Sequence, residues 1–155
     1  MEISLAKEKI IEAVKIFIEK DRKDLLKVNV YEPTLSHRIG VYLENLFPEH
    51  HIDCEYNKHL NGPKSVIDRR TGEKKVIRPD IVIHQTRGMD TENLVIFEIK
   101  KAGKNSKKVK TDIRKIENYV NADLNYKLGV FIGILKKNIY IVWIEKDKEN
   151  IEIIL

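Results

Sequence analysis

Cysteine is nearly absent: in 155 residues Cys54 stands alone. That excludes an internal disulfide and any cysteine-rich zinc centre, and it fits a reducing compartment. Cys54 itself reads as a small core residue. Glycine and proline are also sparse, at 7 and 4 residues, so the chain has no linker-like low-complexity segment. No uncharged stretch approaches the roughly 18 residues that a membrane span requires. At the amino terminus Glu2, Lys7, Glu8 and Lys9 break up the apolar residues before a secretory leader can be read. The expectation is a cytoplasmic protein with no membrane contact. The chain lacks a Gly-Lys-Ser type phosphate loop and a Gly-x-Ser-x-Gly elbow, so neither a nucleotide-driven motor nor that class of hydrolase is indicated. His50, His51, His59 and His84 keep no zinc-ligand spacing.

What is present suits one domain over residues 1–155, because 42% hydrophobic residues are enough to fill a core without staples. The net charge of +5 permits a polyanionic partner, and its distribution says more than its size. Lys100, Lys101, Lys104, Lys107, Lys108 and Lys110 crowd into eleven residues and read as a basic loop leading into a helix.

Apolar periodicity orders the chain. Ile3, Ala6, Ile10, Val14 and Phe17 predict an amphipathic helix, with the charged residues 20–27 carrying its end into a connection. Glu32-Pro33 opens a second helix whose stripe is Leu35, Ile39, Tyr42, Leu43 and Leu46, and Pro48 follows to stop it. A strand is predicted over 51–56 and a turn at Asn61-Gly62-Pro63. Runs at 65–68 and 74–77 predict a hairpin outside the main sheet, with Arg69 and Arg70 at its tip. Two strand-like runs, 80–84 and 94–100, are joined by a polar loop containing Gly88. Val109, Ile113, Ile116, Tyr119 and Val120 mark a third helix, and strands follow at 128–135, 138–144 and 151–155.

The chemistry concentrates at the two central runs. Side chains at i and i+2 of a strand share a face, so Glu98 and Lys100 point one way while Val95, Phe97 and Ile99 point the other. If the run from Asp80 pairs beside it, two carboxylates and an ammonium converge. Carboxylates that close repel unless a cation sits between them, and hard oxygen ligands suit Mg²⁺ or Mn²⁺.

Pro79-Asp80 followed by Glu98-Ile99-Lys100 resembles the signature of the PD-(D/E)XK nuclease superfamily, which is restriction-endonuclease-like in fold. The resemblance implies an α/β fold with an αβββαβ core over residues 32–144, a mixed central sheet flanked by helices, and here an extra N-terminal helical extension at 1–30. It implies a metal held by Asp80, Glu98, the backbone carbonyl of Ile99 and a further acid from the first core helix. Glu32 is the expected acid, with Glu44 as the competing choice. Asp80, Glu98, Lys100 and Glu32 then form the catalytic set. Lys101, Lys104, Lys107, Lys108 and Lys115 are the expected nucleic-acid contacts, with Tyr119, Glu55 and His37 as further candidates near the site.

The function expected is metal-dependent hydrolysis of phosphodiester bonds in nucleic acid, with DNA the expected polymer. A homodimer is allowed, since cutting two strands takes two sites and the first helix offers a packing face. Two other readings stand beside this one. One is a nucleic-acid-binding or assembly module of the same fold without turnover; the other is a structural protein whose ionic cluster binds nothing.

Overall fold

The computed structural model describes residues 1–59, 62–68, 70–87 and 93–155. Helix α1 (Ile3–Phe17) buries Ala6, Ile10, Ala13, Val14 and Phe17 along one stripe. A widened π-helical turn, Ile18–Arg22, then leads without a break into α2 (Lys23–Lys27). The helical path therefore runs through the segment that the sequence assigns to a connection. Its anchor is tertiary: the Asp21 carboxylate accepts hydrogen bonds from Arg38 Nε at 2.9 Å and from the Tyr42 hydroxyl at 2.5 Å. Both partners lie on α3 (Glu32–Leu46), which carries proline in its first turn, where no N–H is needed.

Among the described residues α3 is followed by β1 (His51–Cys54), β2 (Lys58–His59), β3 (Gly62–Pro63), β4 (Ser65–Ile67), β5 (Lys74–Val76), β6 (Ile81–His84), β7 (Asn93–Lys100), then α4 (Lys107–Val120), β8 (Leu128–Ile134), β9 (Ile139–Ile144) and β10 (Ile151–Ile154). Six of them form a mixed sheet in the order β1-β6-β7-β8-β9-β10. Only β7 and β8 run parallel, and α4 is the crossover between them. The sheet is flanked by helices on both faces, so the chain is an α/β protein.

The expected hairpin is present as β4 against β5, and it stands apart from the main sheet. Arg70 is exposed at its tip, whereas Arg69 lies outside the described residues, as do Asn61 of the expected turn and Gly88. β1 stops at Cys54, short of the predicted 56, because Glu55 takes a left-handed φ of 52° that extended pairing cannot continue. Cys54 is exposed, against the expectation of a core thiol: it ends a strand at the sheet's edge, where cover runs out.

Two apolar layers fill the space on either side of the sheet. On one face Ile81, Ile83, Val95, Phe97 and Ile99 pack with α1 and α3. On the other Val82, Ile96 and Phe131 pack with Val109, Ile116, Tyr119 and Val120 of α4. The stripe of α1 is thus spent inside the chain. Close approach of α4 depends on Gly129, where a Cβ would lie 2.2 Å from Ile116 Cγ2 and 2.9 Å from Val120 Cγ2. Both neighbours are β-branched and stiff, so a side chain at 129 would push the helix off the sheet. No helix among the described residues is long and apolar enough to cross a membrane.

Candidate functional site

The register of β6 against β7 decides where the acids fall. Ile81 opens β6 opposite Phe97, and Asp80 is the bend residue just before it, so it falls beside Glu98, whose carboxyl feels its charge. Asp80 is fixed there by its own backbone, whose N–H donates to the Phe97 carbonyl at 3.1 Å, and by its Oδ2, which accepts the Ile99 N–H at 2.6 Å. Lys100 follows two residues after Glu98, on the same face.

That face is the one α4 covers, and α4 brings an acid to it. Asp112 is 4% exposed and its carboxylate lies 3.3 Å from Lys100 Nζ and 2.5 Å from Lys115 Nζ. Glu32 arrives from the other side of the sheet. It opens α3 where β7 ends, and it places Oε2 3.3 Å from Lys100 Nζ while Oε1 accepts the Lys101 N–H at 3.1 Å. One ammonium, Lys100, is therefore shared between acids from two helices.

Electrostatics match this crowding. Glu98 is 7% exposed, and its carboxyl has no hydrogen bond or ion pair among the described residues. Burial first and Asp80 second push its pKa up to about 8. Asp80 is also raised, by burial chiefly, with Glu32 and Asp112 adding to it against the Ile99 N–H and Lys100. For Lys100 burial acts downward, but Asp112 and Glu32 outweigh it and raise its pKa, keeping it charged. The Tyr119 phenol is raised by burial and then by Glu98, Asp112 and Asp80, which places it among the same carboxylates.

Whether these residues fit a divalent cation turns on the donor set. Among the described residues no three His, Cys, Asp or Glu side chains stand as a ready-made ligand group. Glu32 and Asp112 are held by ammonium or amide hydrogens. The Asp80 and Glu98 pair is what fits: two neighbouring, largely buried acids, both hard oxygen donors. Glu32, Asp80, Glu98 and Asp112 against Lys100 and Lys115 leave an excess of carboxylates that a cation would offset.

Other expected residues are less central. Glu55 bonds to the site only through its backbone N–H, 3.1 Å from the Asp80 carbonyl; its exposed side chain turns to Arg78, with Oε1 3.9 Å from Nε. His37 and Glu44 are exposed on α3. His37 thus does not face the site, because the helix turns Leu35, Ser36 and Ile39 inward instead. Lys101 Nζ is engaged by Asn29 Oδ1 at 3.0 Å and the Val30 carbonyl at 2.5 Å, and Lys104 pairs with Glu152 at 3.0 Å. Lys107 and Lys108 are exposed at the start of α4. Asp112 is the residue the sequence reading missed. Its signal was there: it falls between Val109 and Ile116 on the inward stripe of a helix otherwise rich in lysine.

A second polar cluster lies along β1 and β6. Buried His84 meets Asp53 at 2.7 Å, and Arg87 grips the same carboxylate through Nε and an η nitrogen at 2.8 and 2.9 Å. It fixes the edge strand to the sheet. Comparison with protein-family models, with curated proteins and with solved structures found no match to this chain.

Proposed function

We propose that this protein is a metal-dependent nuclease with a restriction-endonuclease-like core, hydrolysing phosphodiester bonds of nucleic acid, with DNA the expected polymer. The observation that carries the reading is the nearness of Asp80 to Glu98 where β6 begins beside β7, with Lys100 on the Glu98 face of β7. Asp80, Glu98 and the carbonyl of Ile99 would hold Mg²⁺ or Mn²⁺, while Glu32, the further acid expected there, is bound to Lys100 and the Lys101 N–H and would join the cation only by releasing them. The cation supplies Lewis-acid polarisation of a phosphoryl oxygen and a lowered pKa for a bound water.

The chain's own residues do the rest. Lys100, kept charged between Glu32 and Asp112, orients the attacking water and offsets charge gathering on the phosphate. Lys115 adds a second ammonium at the rim, half-exposed and steered by Asp112. Lys107 and Lys108 face solvent where the substrate backbone would pass.

The test is cleavage of duplex, single-stranded and branched DNA by wild type and Asp80→Ala in Mg²⁺, Mn²⁺ or EDTA. Turnover by wild type alone, and only with a divalent cation, is the expected result. Cleavage surviving the substitution contradicts the assignment. The reading as a binding module without turnover draws on the lysines that already neutralise Glu32 and Asp112; DNA binding with no cleavage in any cation selects it.

A further inference from the structure

The C-terminal ends of β7 and β8 lie side by side, with Lys100 in register with Gly133. Just past Gly133 the β8–β9 turn presents Lys136 toward α2, and the two elements enclose a pocket of about 470 Å³ lined by Arg22, Lys23, Leu26, Lys27 and Lys136. Four of the five lining residues are cations and none is an acid. None of the four has an ion pair among the described residues. Ligand pockets of this size are ordinarily lined by apolar groups. One lined by unpaired lysine and arginine selects an anion, and at this size one with more than a single charge.

Between this pocket and the carboxylate site runs the segment 28–31. Its path is tied to the site at two points: the Val30 carbonyl accepts from Lys101 Nζ, and Glu32 holds Lys100. Tyr31 stands between those two ties and is 86% exposed, the most exposed of the large hydrophobic side chains among the described residues. Lys27 of the pocket is four residues earlier, at most about 14 Å along an extended chain.

We infer that this surface is a track for an unpaired nucleic-acid strand, with its phosphates in the α2 and Lys136 pocket and a base stacked on Tyr31 as the chain enters the carboxylate site. The inference rests on the nuclease reading for the last of these positions only. A duplex keeps its base faces stacked on one another and offers none to a tyrosine, whereas an unpaired strand does. The cations serve either form through the backbone, and the aromatic makes the distinction.

The test is fluorescence anisotropy with a labelled single-stranded oligonucleotide and the duplex of the same sequence, in EDTA, beside a cleavage assay in Mg²⁺. Wild type is expected to bind the single strand more tightly. Lys23→Ala with Lys27→Ala should lower that affinity at least about tenfold and reduce the salt slope by about 1.4, two phosphate contacts at roughly 0.7 each. Tyr31→Ala should weaken single-strand binding about tenfold and leave duplex binding unchanged, and Tyr31→Trp should retain it. The substituted side chains Lys23, Lys27 and Tyr31 are all exposed, and a melting curve of each variant checks that it folds. Single-strand affinity unchanged in the variants, a preference for duplex, or an equal loss from exposed Lys146→Ala overturns the track. Wild type that binds in the expected pattern but cleaves nothing sinks the nuclease reading and leaves the track standing; cleavage with unchanged binding sinks the track alone.

Discussion

Glu98→Gln is expected to remove a fall in stability that the wild-type protein shows as pH rises from about 4.5 to 8. In the fold Glu98 keeps its proton up to about 8, whereas the ordinary value is 4.5. Across that interval the folded state binds more protons than the unfolded chain, so unfolding becomes easier as pH rises. The advantage is fully present below the ordinary value and gone once pH passes about 8. Each pH unit crossed costs up to about 1.4 kcal/mol. Glutamine keeps the shape and cannot ionise.

Other groups titrate in the same range. His84, whose pKa is lowered by burial against the pull of Asp53, contributes the opposite slope, since there the unfolded chain binds the extra proton. The difference between wild-type and Glu98→Gln melting temperatures, taken from pH 4.5 to 8.5, isolates Glu98. It should widen steadily and favour the variant at pH 8, and Mg²⁺ should then raise the wild-type Tm alone, by mass action on the folded form. Parallel curves would show that Glu98 ionises as readily in the fold as outside it.

Lys100→Met is expected to separate turnover from cation binding. The ammonium removed is the one that Glu32 and Asp112 share at 3.3 Å each. Its loss leaves the site more negative, so Mn²⁺ should bind at least as tightly as before. Cleavage should nonetheless fall about 10²- to 10³-fold, the usual effect of deleting one group that stabilises developing charge. Single-turnover cleavage at saturating Mn²⁺ measures this. Full activity in the variant would reduce Lys100 to a counter-ion.

The trio at the centre was legible because strands obey a short rule. Glu98 and Lys100 share a face by alternation, and Asp80 comes beside Glu98 once the two runs pair. Helices α1, α3 and α4 were legible for the same kind of reason, their stripes being strictly periodic. What the sequence hid depends on contacts far apart in the chain. Helix continues through 18–27 because Asp21 finds Arg38 and Tyr42 on α3, and no local signal announces that. Lys101 looked free and is bound by the turn before α3. Asp112 reaches Lys100 only because Gly129 lets α4 sit close on the sheet.

Calorimetric titration of Mn²⁺ into wild type and Asp80→Ala at pH 7, in buffers of different ionisation enthalpy, addresses the central claim that the Asp80 and Glu98 pair holds a divalent ion. The expected result is one saturable site in wild type, with close to one proton released from Glu98 on binding, and no such site in the variant. Saturable binding that is identical in both proteins, or none in wild type, would contradict it.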